Sequence, residues 1–109
     1  MQPNRPGAYN NLGLTCIEMG EVNEAIAHFE KAIKIEPTAA IYQNNLGLAQ
    51  YNVNLYRDAA NSFLRANKIN MDRDIPYEDP TISFNLANVY LTQKKFEDAL
   101  NSYQDAIQI

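Results

Sequence analysis

The chain has 109 residues, of which 46% are hydrophobic and 20% are charged, enough for one ordinary domain and too few for a large two-domain enzyme. Its thirteen acidic and nine basic residues give a net charge of -4, and the longest basic run is Lys94-Lys95, so we expect no nucleic-acid partner. The single cysteine excludes an internal disulfide, and no apolar run approaches the roughly 18 residues that a membrane helix needs. We therefore predict a cytoplasmic location and no membrane contact.

An internal repeat determines the predicted elements. Residues 10–14 read NNLGL, the same letters return 34 residues later at 44–48, and the related FNLAN stands 40 residues further on at 84–88. Three units, at residues 6–39, 40–73 and 80–109, therefore make up a single domain that spans residues 1–109. The columns that are filled alike in all three units are Leu12/Leu46/Leu86, Gly13/Gly47/Ala87, Val22/Tyr56/Phe96, Ala25/Ala59/Ala99, Phe29/Phe63/Tyr103, Ala32/Ala66/Ala106 and Ile35/Ile69/Ile109.

Each unit is predicted to contain two helices, because its apolar residues recur three, four and seven positions apart and are interrupted once near the middle. The interruptions fall at Gly20, Asn54 and Lys94. Glycine and asparagine tolerate the left-handed backbone that ends many helices, whereas lysine fits it less well. Pro37 ends the second helix of the first unit, since proline has no N–H for a continuing helix. The fold is therefore all-α, with six helices in three antiparallel pairs.

Six extra residues separate the second and third units, and they predict a loop at about 71–79. This stretch carries four carboxylates, at Asp72, Asp74, Glu78 and Asp79. It lacks the glycine and the terminal glutamate of an EF-hand loop, so we expect no metal there. Pro80 suits the first turn of the next helix.

With its first-unit residues Leu12-Gly13, Ala25, Phe29, Ala32 and Pro37, the chain resembles a tetratricopeptide repeat protein. The resemblance implies a right-handed superhelical stack of three helix-turn-helix units. The first helix of each unit then lines a concave groove, and the second helix forms the convex back. The function implied is a protein–protein interaction module that binds a partner peptide or helix in the groove.

Asparagine occupies one column in all three units, at Asn11, Asn45 and Asn85. The resemblance places this column in the groove, where a similar asparagine ladder holds a peptide backbone in the repeats of O-linked N-acetylglucosamine transferase. An amide offers both a donor and an acceptor to an extended chain. A role in helix packing or in ordering water is an equally good interpretation. The other predicted groove residues are Asn10, Leu14, Asn44, Leu48, Tyr51, Phe84 and Asn88.

A carboxylate clamp, the groove type with which co-chaperones grip acidic chaperone tails, is not predicted. Its lysines and arginine are missing, because the matching places hold Asn10, Leu14, Asn45, Thr81 and Asn85, of which only Asn45 fits the pattern. A carboxylate buried there would have no cationic partner.

Catalysis is not predicted, because His28 is the chain's only histidine and no glycine-rich phosphate loop is present. Cys16 is interpreted as a small buried hydrophobe, since no cationic residue within one turn would activate its thiol. We therefore predict neither enzymatic activity nor a cofactor or metal.

Two alternatives to the binding module remain. The first is a structural scaffold, because Leu100, Tyr103, Ile107 and Ile109 lie on a last helix that no following helix covers. These residues predict either a place in a longer repeat protein or self-association through the C-terminal helix face. The second alternative is a repeat region beside an enzyme such as a glycosyltransferase.

Overall fold

The computed structural model describes residues 5–108, which form six α-helices and no strand. The helices are α1 (Pro6–Glu18), α2 (Val22–Ile35), α3 (Ala40–Asn52), α4 (Tyr56–Met71), α5 (Pro80–Thr92) and α6 (Phe96–Ile107). Each first helix packs against the second helix of its own unit, and α2 and α4 also pack against the first helix of the next unit. The predicted breaks and the predicted start at Pro80 are confirmed. Ile109 lies outside the described residues.

In the first two units, the helices of the pair are held close by a phenylalanine ring that lies over a glycine. A Cβ added to Gly47 would lie 2.7 Å from Cε1 of Phe63, and one added to Gly13 would collide in the same way with Phe29. Both rings are fully buried, as are Ala25 and its counterpart Ala59. Burial of one phenylalanine contributes about 1.5–3 kcal/mol, so this contact is a principal source of stability in the first two units.

The turn inside each unit has the same backbone geometry three times. Gly20, Asn54 and Lys94 all adopt positive φ, at 78°, 67° and 62°. In the first unit the N–H of Gly20 donates to the carbonyl of Ile17 and the N–H of Glu21 to that of Cys16, which is the hydrogen-bond pattern of a Schellman motif. The other two units repeat both bonds.

The loop between the second and third units runs from Asp72 to Asp79. The N–H of Tyr77 donates to the carbonyl of Asn70 at 3.1 Å, which fastens the loop to the end of α4. Asp79 caps α5 by accepting from the N–H of Thr81 at 2.9 Å, and Pro80 stands at the first helical position. The extra residues therefore end in a cap for α5, and the third unit still packs on the second.

Leu12 differs from the expectation that its column is core. Its side chain is 47% exposed, whereas Leu46 and Leu86 are each 5% exposed. The column packs against the second helix of the preceding unit, and within the described residues no unit precedes α1. Burial at this column thus comes from the neighbouring unit rather than from the leucine's own.

The left-handed backbone at Lys94 predicts that Lys94→Gly stabilises the chain. Because this conformation strains a residue that has a Cβ, glycine is expected to raise the free energy of unfolding by about 0.5–1 kcal/mol, as measured by urea denaturation. Gly20→Lys provides the reverse test, since a Cβ at Gly20 would meet no atom within 4 Å and only backbone strain can act. A Lys94→Gly variant no more stable than the parent chain would contradict this account.

Candidate functional site: the groove face

The first helices α1, α3 and α5 carry all ten predicted groove residues, at three levels of exposure. The exposed residues are Asn11, Leu14, Leu48 and Phe84; the half-buried ones are Asn10, Asn45, Tyr51, Asn85 and Asn88; and Asn44 alone of the ten is buried. Nine of the ten therefore present at least part of their surface. Asn44 supports the face from beneath.

The asparagine column joins neighbouring units through side-chain hydrogen bonds. The Nδ2 of Asn45 donates to Oδ1 of Asn10 at 2.9 Å, and the Nδ2 of Asn85 donates to Oδ1 of Asn44 at 3.1 Å. Each bond links one first helix to the next. Asn45 and Asn85 therefore have a packing role, which the sequence had left as one of two interpretations.

The carbonyl groups of the same two amides have no partner within residues 5–108. Asn45 and Asn85 each make only the one side-chain hydrogen bond, and their Oδ1 atoms accept none. Asn11 is exposed, and its side chain makes no hydrogen bond within the same residues. The column is thus a row of amides whose donors are partly engaged and whose carbonyl acceptors are available.

Thr92 and Tyr103, which were not among the predicted groove residues, contact three residues that were. The hydroxyls of Tyr51 and Thr92 lie 3.0 Å apart, and the hydroxyl of Tyr103 donates to Oδ1 of Asn88 at 2.6 Å. Phe84 packs edge-on against Tyr103, with ring centroids 6.1 Å apart. The extra hydroxyl at Tyr103, in a column that is otherwise phenylalanine, was the signal that could have identified this contact.

A cavity of about 120 Å³ opens between α1 and α3. Its apolar lining residues are Leu14, Ile17, Phe29, Leu48 and Ala49, and its polar ones are Asn45 and Asn52. A second cavity, of about 190 Å³, lies where the loop meets the starts of α3 and α5, and Asn44, Arg73 and Tyr77 help to line it.

Charge is almost absent from the first helices. Glu18 is the one charged residue on α1, and α3 and α5 contain none. Apart from Arg5, which stands directly before α1, the remaining charged residues of the described range lie on the second helices and in the connecting segments. A ligand group that is bound between the first helices therefore meets amides, hydroxyls and carbon.

Cys16 is buried, and its thiol lies near two carboxylates. The ligand atoms of Cys16, Glu21 and Glu24 all lie within 4.8 Å of one another, the one group of this kind in the described part of the chain. Burial, followed by the charges of Glu24 and Glu21, raises the pKa of the Cys16 thiol. The thiol therefore stays protonated at neutral pH, which agrees with its interpretation as a small hydrophobe.

His28 is half-buried and packs on α1. Its ring stacks on that of Tyr9 at a centroid distance of 6.4 Å. The Nζ of Lys31 also lies over the Tyr9 ring, 5.6 Å from its centroid. His28 Nδ1 is buried and has no hydrogen-bond partner within residues 5–108. The histidine thus takes part in interhelical packing.

Family comparisons agree with this architecture. Residues 13–54 match a family model described as TPR repeat, and residues 44–109 match one described as Tetratricopeptide repeat. A curated relative, the peroxisomal targeting signal receptor of Kluyveromyces lactis, is 26% identical over 95 residues. That match covers 87% of this chain but only 16% of the receptor's length.

Solved structures share the fold. The crystal structure of MamA superposes with a TM-score of 0.87 at 24% identity, over 99% of this chain and 60% of that one. The second TPR of Spaghetti (RPAP3), bound to the HSP90 peptide SRMEEVD, gives a TM-score of 0.84 at 13% identity, over 94% of this chain and 90% of that one. These likenesses confirm the predicted all-α superhelical stack. No helix within residues 5–108 is long and apolar enough to cross a membrane.

The raised pKa of Cys16 predicts slow alkylation of the folded chain. Because iodoacetamide reacts with the thiolate, the rate in the folded chain should rise at higher pH than in the urea-unfolded chain, over a titration from about pH 7 to 11. Glu24→Gln removes one of the two carboxylate charges and should move the folded profile toward lower pH. A folded profile that rises at or below the pH of the unfolded profile would contradict the assignment.

Proposed function

Because the chain belongs to the tetratricopeptide repeat family, whose members typically mediate protein–protein interactions, we propose that it is a binding module that holds a segment of a partner protein in its groove. The observation that carries the proposal is the row of amide carbonyls at Asn45 and Asn85, which accept no hydrogen bond within residues 5–108. An extended segment has backbone N–H groups that need such acceptors. In this proposal the column acts as a ladder similar to that of O-linked N-acetylglucosamine transferase.

The groove chemistry separates this chain from repeats that hold acidic tails. The second TPR of Spaghetti holds the peptide SRMEEVD, which has three carboxylate side chains. The first helices of the present chain carry no cation within the described residues. A carboxylate that is moved from water into such a groove loses hydration without gaining a counter-charge. The proposed partner segment therefore does not bind through acidic groups.

No catalytic role is part of the proposal. The chain's only histidine packs against Tyr9, and its one cysteine is a buried thiol with a raised pKa. A cytoplasmic location fits an unpaired cysteine and stays a prediction.

The groove proposal predicts different effects for two variants that break the same hydrogen bond. Peptides selected from a random phage-displayed library provide the probe. Asn85→Ala and Asn44→Ala each remove the Asn44–Asn85 bond, so both should lower the free energy of unfolding by about 0.5–1.5 kcal/mol. Only Asn85→Ala also removes the groove carbonyl, so it should weaken peptide binding more than Asn44→Ala does, by about a further two- to twelvefold in calorimetry.

Asn11→Ala provides a variant without a packing effect, since the Asn11 side chain makes no hydrogen bond within the described residues. This variant should weaken peptide binding and leave the melting temperature of the chain unchanged. Selected peptides that bind Asn85→Ala and Asn11→Ala as tightly as the parent chain would contradict the groove proposal.

Self-association is a second candidate, which is supported by the exposure of both outer faces of the stack. Leu12 on α1 and Leu100 and Ile107 on α6 are exposed, whereas Leu46 and Leu86 are buried against the preceding unit. Apolar surface left in water costs about 25 cal/mol per Å², so the two faces could stabilise each other by continuing the stack. The copies would then pack end to end.

End-to-end packing predicts a mass that depends on concentration. Light scattering should give values above the 12.4 kDa of one chain as the concentration rises, and Leu100→Asp should restore the single-chain mass. Leu64→Asp is the matched control, because Leu64 is an exposed leucine on α4, away from the end faces. A mass of one chain at every concentration would exclude this candidate.

A further inference from the structure

The cavity between α1 and α3 has the size and lining of a side-chain pocket. Its volume is about 120 Å³, and four of its seven lining residues are the aliphatic Leu14, Ile17, Leu48 and Ala49. An engineered apolar cavity of about 150 Å³ is large enough to bind benzene, so this one is of a size for a single aliphatic side chain. Leu14 and Leu48 are also exposed, so the cavity opens to the outside of the stack.

A hydrogen-bond acceptor belongs to one of the residues that line the cavity. Asn45 is part of its lining, and the Nδ2 of Asn45 is held by Asn10 at 2.9 Å. That bond orients the amide, and its Oδ1 accepts no hydrogen bond within residues 5–108. An apolar side chain that enters the cavity would bring its own backbone N–H beside this acceptor.

The equivalent place between α3 and α5 carries side chains that are bulkier or more polar. Tyr51 stands where the first unit has Ile17, and its hydroxyl lies 3.0 Å from that of Thr92. Val89 replaces Ala49, and Asn88 replaces Leu48 and accepts from Tyr103. The apolar pocket is therefore a feature of the first junction rather than of the repeat.

The charge distribution selects the kind of segment. Within the described residues, Glu18 is the one charge on any first helix, and the cavity lining contains none. A chain terminus or a charged side chain placed there would be desolvated without a partner. We propose that this cavity binds one uncharged aliphatic side chain from an internal, extended segment of the partner, while Asn45 Oδ1 accepts the backbone N–H of that residue.

This inference rests on the proposed groove function, and it is tested with a probe that needs no known partner. N-acetyl-leucine methylamide, titrated to about 20 mM and followed by amide NMR shifts, should perturb Ile17, Leu48 and Ala49 in a saturable way. N-acetyl-glutamate methylamide should bind at least about tenfold more weakly, since its carboxylate would be desolvated.

Leu14→Asn tests the cavity wall, because asparagine occupies the equivalent place in the third unit, at Asn88. It should weaken the leucine probe about fivefold or more. Leu64→Asn is the control, since Leu64 is 45% exposed and Leu14 is 42% exposed. Amide spectra of both variants without probe establish that each is folded.

The outcomes separate this inference from the groove proposal. The pocket assignment is overturned if the leucine probe leaves the cavity amides unshifted or binds Leu14→Asn and the parent chain equally. It is also overturned if the glutamate probe binds as tightly as the leucine probe. If those results occur while selected peptides remain sensitive to Asn85→Ala, the groove proposal stands and only the pocket assignment falls. If no selected peptide is sensitive to Asn85→Ala, the groove proposal falls, whatever the leucine probe does.

Discussion

The contact of a phenylalanine ring with a glycine on the facing helix is the constraint on which the rest of the structure depends. Phe29 lies over Gly13 and Phe63 over Gly47, so closely that even a Cβ on either glycine would collide with the ring. This contact sets the distance between the two helices in the first two units, whereas the third unit has Ala87 and Tyr103 at these places. Because the units repeat, it also brings one first helix beside the next. The Asn10–Asn45 and Asn44–Asn85 bonds then link successive first helices.

The same arrangement separates two chemistries. The second helices and connecting segments carry nearly all the charge, whereas the first helices present amides, hydroxyls and aliphatic carbon. A surface of this kind binds by complementary hydrogen bonds and apolar contact rather than by ion pairing. Amides that also join the repeats are oriented before any ligand arrives, which reduces the entropy lost on binding.

Most of the fold was predictable because the repeat reports the same local rules three times. The breaks at Gly20, Asn54 and Lys94 followed from where the apolar period stops, and the structure gives all three the same left-handed backbone. Leu12 was not predictable from its column, since its burial depends on a neighbouring unit. A sequence column records the type of residue and not whether another unit covers it.

The site was predictable in its location and less so in its contacts. The asparagine column could be found by counting, but its pairing with the preceding residue column, Asn10 and Asn44, depends on side-chain directions across two helices. The cavity beside Asn45 depends on differences between units, such as Ile17 against Tyr51, which a search for shared residues passes over. Repetition reveals the scaffold, whereas the departures from repetition shape the groove.

Hydrogen–deuterium exchange of the chain with and without a bound library-selected peptide tests the central claim, that the first helices form the binding surface, most directly. The account predicts that the peptide slows amide exchange in α1, α3 and α5, most strongly in the helical turn of α3 that contains Asn45. Exchange in α2, α4 and α6 should stay unchanged. Protection confined to the second helices, or to the outer faces of α1 and α6, would contradict it.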